Sequence, residues 1–181
     1  GWRKSIRHLR ACGFNAIFPN MLWAGLAYYP SKVLPVAPEV KERGDQIAEC
    51  LRWCRRYGVE LHVWKVNFNL GHAPKEFVDR LRAEGRLQRD RNGREVLWLC
   101  PSNPKNFELE RDSMLEVVRN YPVDGIHFDY IRYPGSHACF CDGCRRRFEK
   151  ATGVKVKNWP DDVLKPPLKD LFAKWRQDQI T

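Results

Sequence analysis

The 181-residue sequence has no run approaching the roughly 18 consecutive apolar residues of a membrane-spanning helix. Its opening stretch, GWRKSIRHLRACGF, lacks the apolar segment of a signal peptide. No transmembrane segment is therefore predicted. The sequence also lacks the composition of a disordered chain, since 43% of its residues are hydrophobic and 12% aromatic, enough to fill a core. Histidine is scarce, and none follows His137. Negative charge is short as well: 32 Lys and Arg against 22 Asp and Glu leave a formal charge of +10. Such an excess suits an acidic partner such as nucleic acid, a membrane surface or an anionic glycan. The basic residues are scattered, however. Only RLRAEGRLQRDRNGR (Arg80 to Arg94) and CRRRF (Cys144 to Phe148) are dense, and both fall where a solvated helix face or loop is expected, so no nucleic-acid partner is expected.

What the sequence does contain is an alternation of helix and strand. WRKSIRHLRACG places Trp2, Ile6, Leu9 and Cys12 near a 3.6-residue period and stops at Gly13, a helix with its C-terminal signal. FNAIFPN reads as a short strand ending at Pro19 and Asn20, followed by a long aromatic, proline-containing loop. DQIAECLRWCRRYG and VELHVWKVNF repeat the unit as helix and strand. KEFVDRLRAEG predicts a short helix, and DRNGREVLWLC a hairpin around Asn92-Gly93. PKNFELERDSMLEVVRNY predicts a helix with apolar Phe107, Leu109, Met114, Leu115, Val117 and Val118, and it feeds the strand VDGIHFDYIRYP. A last amphipathic helix, LKDLFAKWRQDQIT, follows. This is the pattern of an α/β protein with parallel strands and helices outside, a partial (β/α)8 TIM barrel. One domain over residues 1–181 is expected, cut short at both ends, because a whole barrel takes about 250 residues.

Chemistry in such barrels sits at the C-terminal ends of the strands, where Asn20, Asn67, Asp129 and Arg132 fall. Side chains alternate along a strand, so His127 and Asp129 share one face and Ile126 and Phe128 the other. The apolar pair suits the helix-facing layer and the polar pair the barrel interior. A carboxylate there can be a nucleophile or charge stabiliser in glycoside cleavage, or orient a sugar; a structural Asp-Arg pair is the alternative. In ELHVWKVNF, His62 and Trp64 oppose Lys65 and Asn67, with the inward pair not fixed by spacing; Asn67 is a sugar-contact candidate, and His62 reads as a core histidine. Trp23, Tyr28 and Tyr29 in the first long loop suit either stacking on a sugar or packing of the loop itself.

Of seven cysteines, Cys12, Cys50 and Cys54 read as small buried hydrophobes. HACFCDGC offers four soft or borderline ligands, His137, Cys139, Cys141 and Cys144. A structural zinc, a disulfide and free thiols all stay open; in each case the expected role is to pin the loop after the Asp129 strand. No cofactor is required for chemistry at Asp129.

Four segments in order, GFNAIFPNMLWAGLAYYPSKVLP, YGVELHVWKVNF, WLCPSNPKNFELERDSMLEVVRNYPVDGIHFDYIRYP and CFCDGCRRRFEKATG, resemble the family 10 glycosylhydrolase-like proteins, a barrel family. The third is the most specific: Asn-Pro at a helix start, a Tyr before VDGIHFD and a closing RYP. The resemblance implies a secreted or envelope-associated glycoside hydrolase domain acting on a poly- or oligosaccharide. It makes Asp129 the strand-end acid, with Tyr130, Arg132 and Tyr133 around the sugar; His127, on the same strand face as Asp129, is a further substrate-binding candidate. Members often carry a second acidic residue directly after the first, where this sequence has Tyr130. A partner carboxylate is then expected from a later strand. Two other classes compete: a carbohydrate-binding barrel without turnover, and a tRNA-guanine transglycosylase-like enzyme, suggested by Cys-x-Cys-x-x-Cys and the basic charge. The second lacks its downstream histidine and a glycine-rich substrate loop.

Overall fold

The computed structural model describes residues 1–180, which fall into two compact units. The first comprises residues 1–74 and 109–130, the second residues 75–108 and 131–180.

The first unit opens with helix α1 (Trp2–Ala11), whose Ile6 is fully buried. Strand β1 (Ala16–Ile17) pairs in parallel with β4 (Glu60–Val66), and the chain then runs over Pro19 into β2 (Asn20–Trp23), which pairs with the same strand. The predicted strand therefore continues past its expected end. Proline has no N–H to donate, so it interrupts the ladder, but its carbonyl still accepts from Trp64 N at 3.0 Å and carries the pairing across the gap. A tight turn through Ala24 and Gly25 leads to β3 (Leu26–Ala27), antiparallel to β2. Gly25 has φ +86°, and a Cβ there would lie 2.7 Å from the Ala73 methyl, so glycine is required on both counts.

A short helix α2 (Glu39–Arg43) precedes α3 (Gln46–Tyr57). Asp45 caps α3 by accepting from Ala48 N at 2.9 Å, and Gly58 ends it in the left-handed conformation. The buried face of α3, Ile47, Cys50, Leu51 and Cys54, packs near Leu61 and Val63 of β4. Cys50 and Cys54 are buried as expected, whereas Cys12 is exposed at the end of α1.

The second unit holds helix α4 (Lys75–Ala83) and the hairpin β5 (Leu87–Arg89) to β6 (Glu95–Leu99). Its turn is organised by Asp90, whose Oδ1 accepts from Asn92 N and Arg94 N, both at 2.8 Å, with Gly93 at positive φ. Helix α5 (Pro104–Asn120) follows, begun by Asn103 as Lys105 N donates to its side chain.

Of the apolar residues named for α5, Val117 is fully buried. Phe107 and Val118 are 63% and 48% exposed, and the buried stripe is Asn106, Glu110, Ser113 and Val117. These residues recur at helical spacing but are mostly polar, because strand and loop groups need partners there. Within the first unit, Glu116 of α5 accepts from Tyr29 OH at 2.9 Å, from Ser31 Oγ and from Lys32 N at 2.7 Å, tying down the first long loop. Tyr121 donates to Asp45 at 2.5 Å and so reaches the cap of α3.

Strand β7 (Gly125–Asp129) pairs in parallel with β4, Trp64 facing His127 and Val66 facing Asp129. Among the described residues β7 pairs on one side only, and Phe128 is 54% exposed. The second unit ends with α6 (Asp142–Thr152) and α7 (Lys169–Asp178). Their core is aromatic: Phe172 meets Phe140, Phe148, Trp159 and Trp175 at ring-centroid distances of 5.2 to 5.8 Å. No helix among the described residues is long and apolar enough to cross a membrane.

Candidate active site

The register of β4 against β7 settles which residues share a face. Leu61, Val63, Lys65 and Asn67 point to the helix side, where Lys65 Nζ lies 3.2 Å from Glu110 of α5 and Asn67 donates to the same carboxylate at 2.6 Å. Asn67 is only 1% exposed, so its side chain serves this buried network and presents no surface to a sugar. Its strand-end position could not reveal that, because alternation fixes which residues go together and not which way they face.

The other face of the two strands carries His62, Trp64, His127 and Asp129, in line with the alternation expected of VDGIHFD. Phe18 stacks on His62 at 4.8 Å and meets His127 edge-on at 5.6 Å, and Trp64 meets His127 edge-on at 5.7 Å. Both Asp129 oxygens are held: Trp64 Nε1 donates to Oδ2 at 3.2 Å and Tyr130 N donates to Oδ1 at 2.8 Å. Tyr130 adopts φ +57°, and its side chain is 38% exposed. Asn20 lies opposite Trp64 in the register of β2, and its buried Oδ1 has no hydrogen-bond partner among the described atoms. The result is a half-buried carboxylate fixed at a strand end, beside an aromatic and imidazole surface. Trp64 was the residue missed by sequence reasoning; a Trp two residues before the end of its strand was the signal, while spacing left its facing open.

Two other carboxylates border these strands. Asp124 Oδ2 accepts from Leu61 N at 2.8 Å, and Glu60 pairs with His62 Nε2 at 3.1 Å. Both belong to the far end. Asp129 is level with Val66, six residues along β4 from Glu60, a span of about 20 Å at roughly 3.3 Å per residue. That exceeds the about 9.5 Å upper limit for a pair of glycosidase carboxylates.

In the second unit, Arg132 is exposed, lies over the Trp98 ring at 5.9 Å and donates to Tyr133 O at 3.2 Å. Tyr133 is 8% exposed and packs in the aromatic core, with Arg176 4.1 Å above its ring; burial pushes its phenol pKa upward. It is therefore a core residue rather than a sugar contact. Its neighbours in RYP gave no sign of this, because the burial comes from α7, some forty residues on. Of the proposed ligands in HACFCDGC, Cys139, Cys141 and Cys144 come together, but His137 is exposed and stands outside the group; Cys100 takes its place.

The sequence matches the glycosyl hydrolase-like 10 family over residues 2–181. The chain is 30% identical to an S-layer-related protein of Niallia circulans, over 66% of this chain and 9% of that protein. It is 27% identical to the glycosyl hydrolase DigH of Escherichia coli K12, over 71% of this chain and 34% of that protein. The chain thus spans about a third of the second relative and less than a tenth of the first. Among solved structures, the α-L-fucosidase isoenzyme 2 of Paenibacillus thiaminolyticus superposes with a TM-score of 0.70 at 21% identity, over 97% of this chain and 25% of that one. The β-galactosidase of the psychrophilic Marinomonas ef1 gives a TM-score of 0.57 at 16% identity, over 84% and 23%. Both likenesses concern the fold, a partial glycosidase-type TIM barrel. With the match running along essentially the whole chain and the parallel strands in place, this chain belongs to the glycosyl hydrolase-like 10 family.

Proposed function

We propose that this glycoside hydrolase-like domain cleaves a poly- or oligosaccharide, with Asp129 as one of two catalytic carboxylates. The observation that carries the reading is the double hold on that side chain by Trp64 Nε1 and Tyr130 N. A carboxylate that must attack, or stabilise charge, at a sugar carbon gains from being fixed before substrate arrives. The neighbouring Trp64, His127 and Phe18 rings supply apolar faces on which the CH-rich side of a sugar packs, and Asn20 offers an amide beside them. The second carboxylate comes from elsewhere in the protein, since Glu60 and Asp124 lie at the wrong end of the strands.

One feature favours a second reading, a carbohydrate-binding barrel without turnover: the position after Asp129 is Tyr130, and the face carries a single carboxylate at its C-terminal end. Glycan binding and hydrolysis by the full-length protein, wild type beside Asp129→Asn, separate the two. Asp129→Asn is expected to lower cleavage by about 10²–10⁴-fold with binding retained. Undiminished cleavage removes Asp129 from the mechanism, and binding without cleavage in both forms assigns the domain to recognition. Trp64→Phe keeps an aromatic ring but removes the donor. A hydrogen bond to a charged group contributes about 1.5–3 kcal/mol, so a loss of roughly tenfold to a hundredfold in kcat is expected, with little change in KM.

A further inference from the structure

Four thiols meet in the interior of the second unit. Cys100 follows β6 directly, whereas Cys139, Cys141 and Cys144 lie in the segment that enters α6, with Cys141 at its N-cap and Cys144 in its first turn. All four residues are at most 5% exposed. The sulfur–sulfur distances are 3.4 Å from Cys100 to Cys144, 3.6 Å from Cys141 to Cys144 and 3.8 Å from Cys100 to Cys141, and all four sulfurs lie within 4.8 Å of one another. A tetrahedral zinc site with Zn–S bonds of about 2.3 Å requires sulfurs about 3.8 Å apart.

The surroundings point the same way. Ser102 Oγ is 3.2 Å from Cys100 Sγ and 3.4 Å from Cys144 Sγ. Arg147 donates to Ser102 Oγ at 3.0 Å and to Cys100 Sγ at 3.7 Å. Neutral thiols packed as small hydrophobes have little use for a guanidinium. Four thiolates around a dication leave two net negative charges, one of which Arg147 offsets while the serine hydroxyl orients the sulfurs. The first turn of α6 adds the positive end of its macrodipole at Cys144.

We propose that Cys100, Cys139, Cys141 and Cys144 form a tetrathiolate zinc site that fastens the end of the β5–β6 hairpin to the entrance of α6. The metal is structural: four protein ligands close its coordination sphere and leave no position for water or substrate. Each cysteine loses its thiol proton as the Zn–S bond forms, and no electron is transferred.

The test is metal analysis of the purified protein together with cobalt substitution. One zinc per chain is expected, and the cobalt form is expected to show the intense visible absorption and sulfur-to-metal charge transfer of a tetrahedral all-sulfur site. Cys100→Ser should displace that spectrum and lower zinc retention, whereas His137→Ala should leave both unchanged. Loss of metal in His137→Ala with retention in Cys100→Ser overturns the ligand set. A metal-free protein whose four thiols all react with a thiol reagent after denaturation overturns the site, as does a mass lower by two hydrogens per bridge, which marks disulfides. The cobalt spectrum of the unmutated protein decides the matter even where a serine variant fails to fold.

Discussion

Replacing Glu110 by alanine is expected to destabilise the protein by about 3–5 kcal/mol, the penalty for leaving a buried charge without its partner. Lys65 is 3% exposed, and its ammonium lies 3.2 Å from Glu110. The same carboxylate accepts from Asn67, so two buried donors lose their acceptor at once. Urea denaturation of the purified protein measures the effect. The double variant Lys65→Met with Glu110→Leu should recover part of the loss, since it removes the unpaired charge but leaves the Asn67 amide without its acceptor. A loss below about 1 kcal/mol for Glu110→Ala is what an exposed pair would give, and would show that water reaches Lys65 in solution.

The second large effect is expected at Phe172. Its ring sits among Phe140, Phe148, Trp159 and Trp175 and is 3% exposed, so truncation opens a cavity that four stiff rings cannot collapse into. Phe172→Ala should cost about 3–5 kcal/mol. The adjacent Leu171 is 40% exposed, and its alanine variant should remain within about 0.5 kcal/mol of wild type. Trp159 and Trp175 provide a fluorescence signal in the same unit. Equal losses at positions 171 and 172 would mean that the ring cluster is not closed in solution.

These two sites differ in how far the sequence disclosed them. LKDLFAKWRQDQIT announces an amphipathic helix, and Phe172 falls on its apolar face by spacing alone. Glu110 gave no such signal, because a glutamate in an amphipathic helix reads as solvated until its strand partner is known. The same limit applies elsewhere. Gly58 and Asn92-Gly93 were legible because each is a local device that sets the backbone within a few residues. The alternation that groups His127 with Asp129 was legible for the same reason. The direction in which β4 turns Asn67, the burial of Tyr133 and the convergence of Cys100 on a cluster 41 and 44 positions away all depend on non-local packing. Local spacing cannot carry that information. His137 was the candidate nearest in sequence, and the fold brings Cys100 to the other three cysteines instead.

Strand β7 pairs on one side only among the described residues, and that edge bears on how these residues behave when prepared alone at high concentration. A strand edge without a partner is a template for a further strand, of the same protein or of another molecule, and Phe128 adds an apolar contact beside it. The net charge of +10 holds molecules apart while ionic strength is low. Salt shortens the reach of that repulsion to about 10 Å at 0.1 M and leaves the strand's pairing capacity untouched. Colloidal stability and strand complementarity thus draw on separate parts of the molecule, so a buffer that quiets the charge brings the open edge into play.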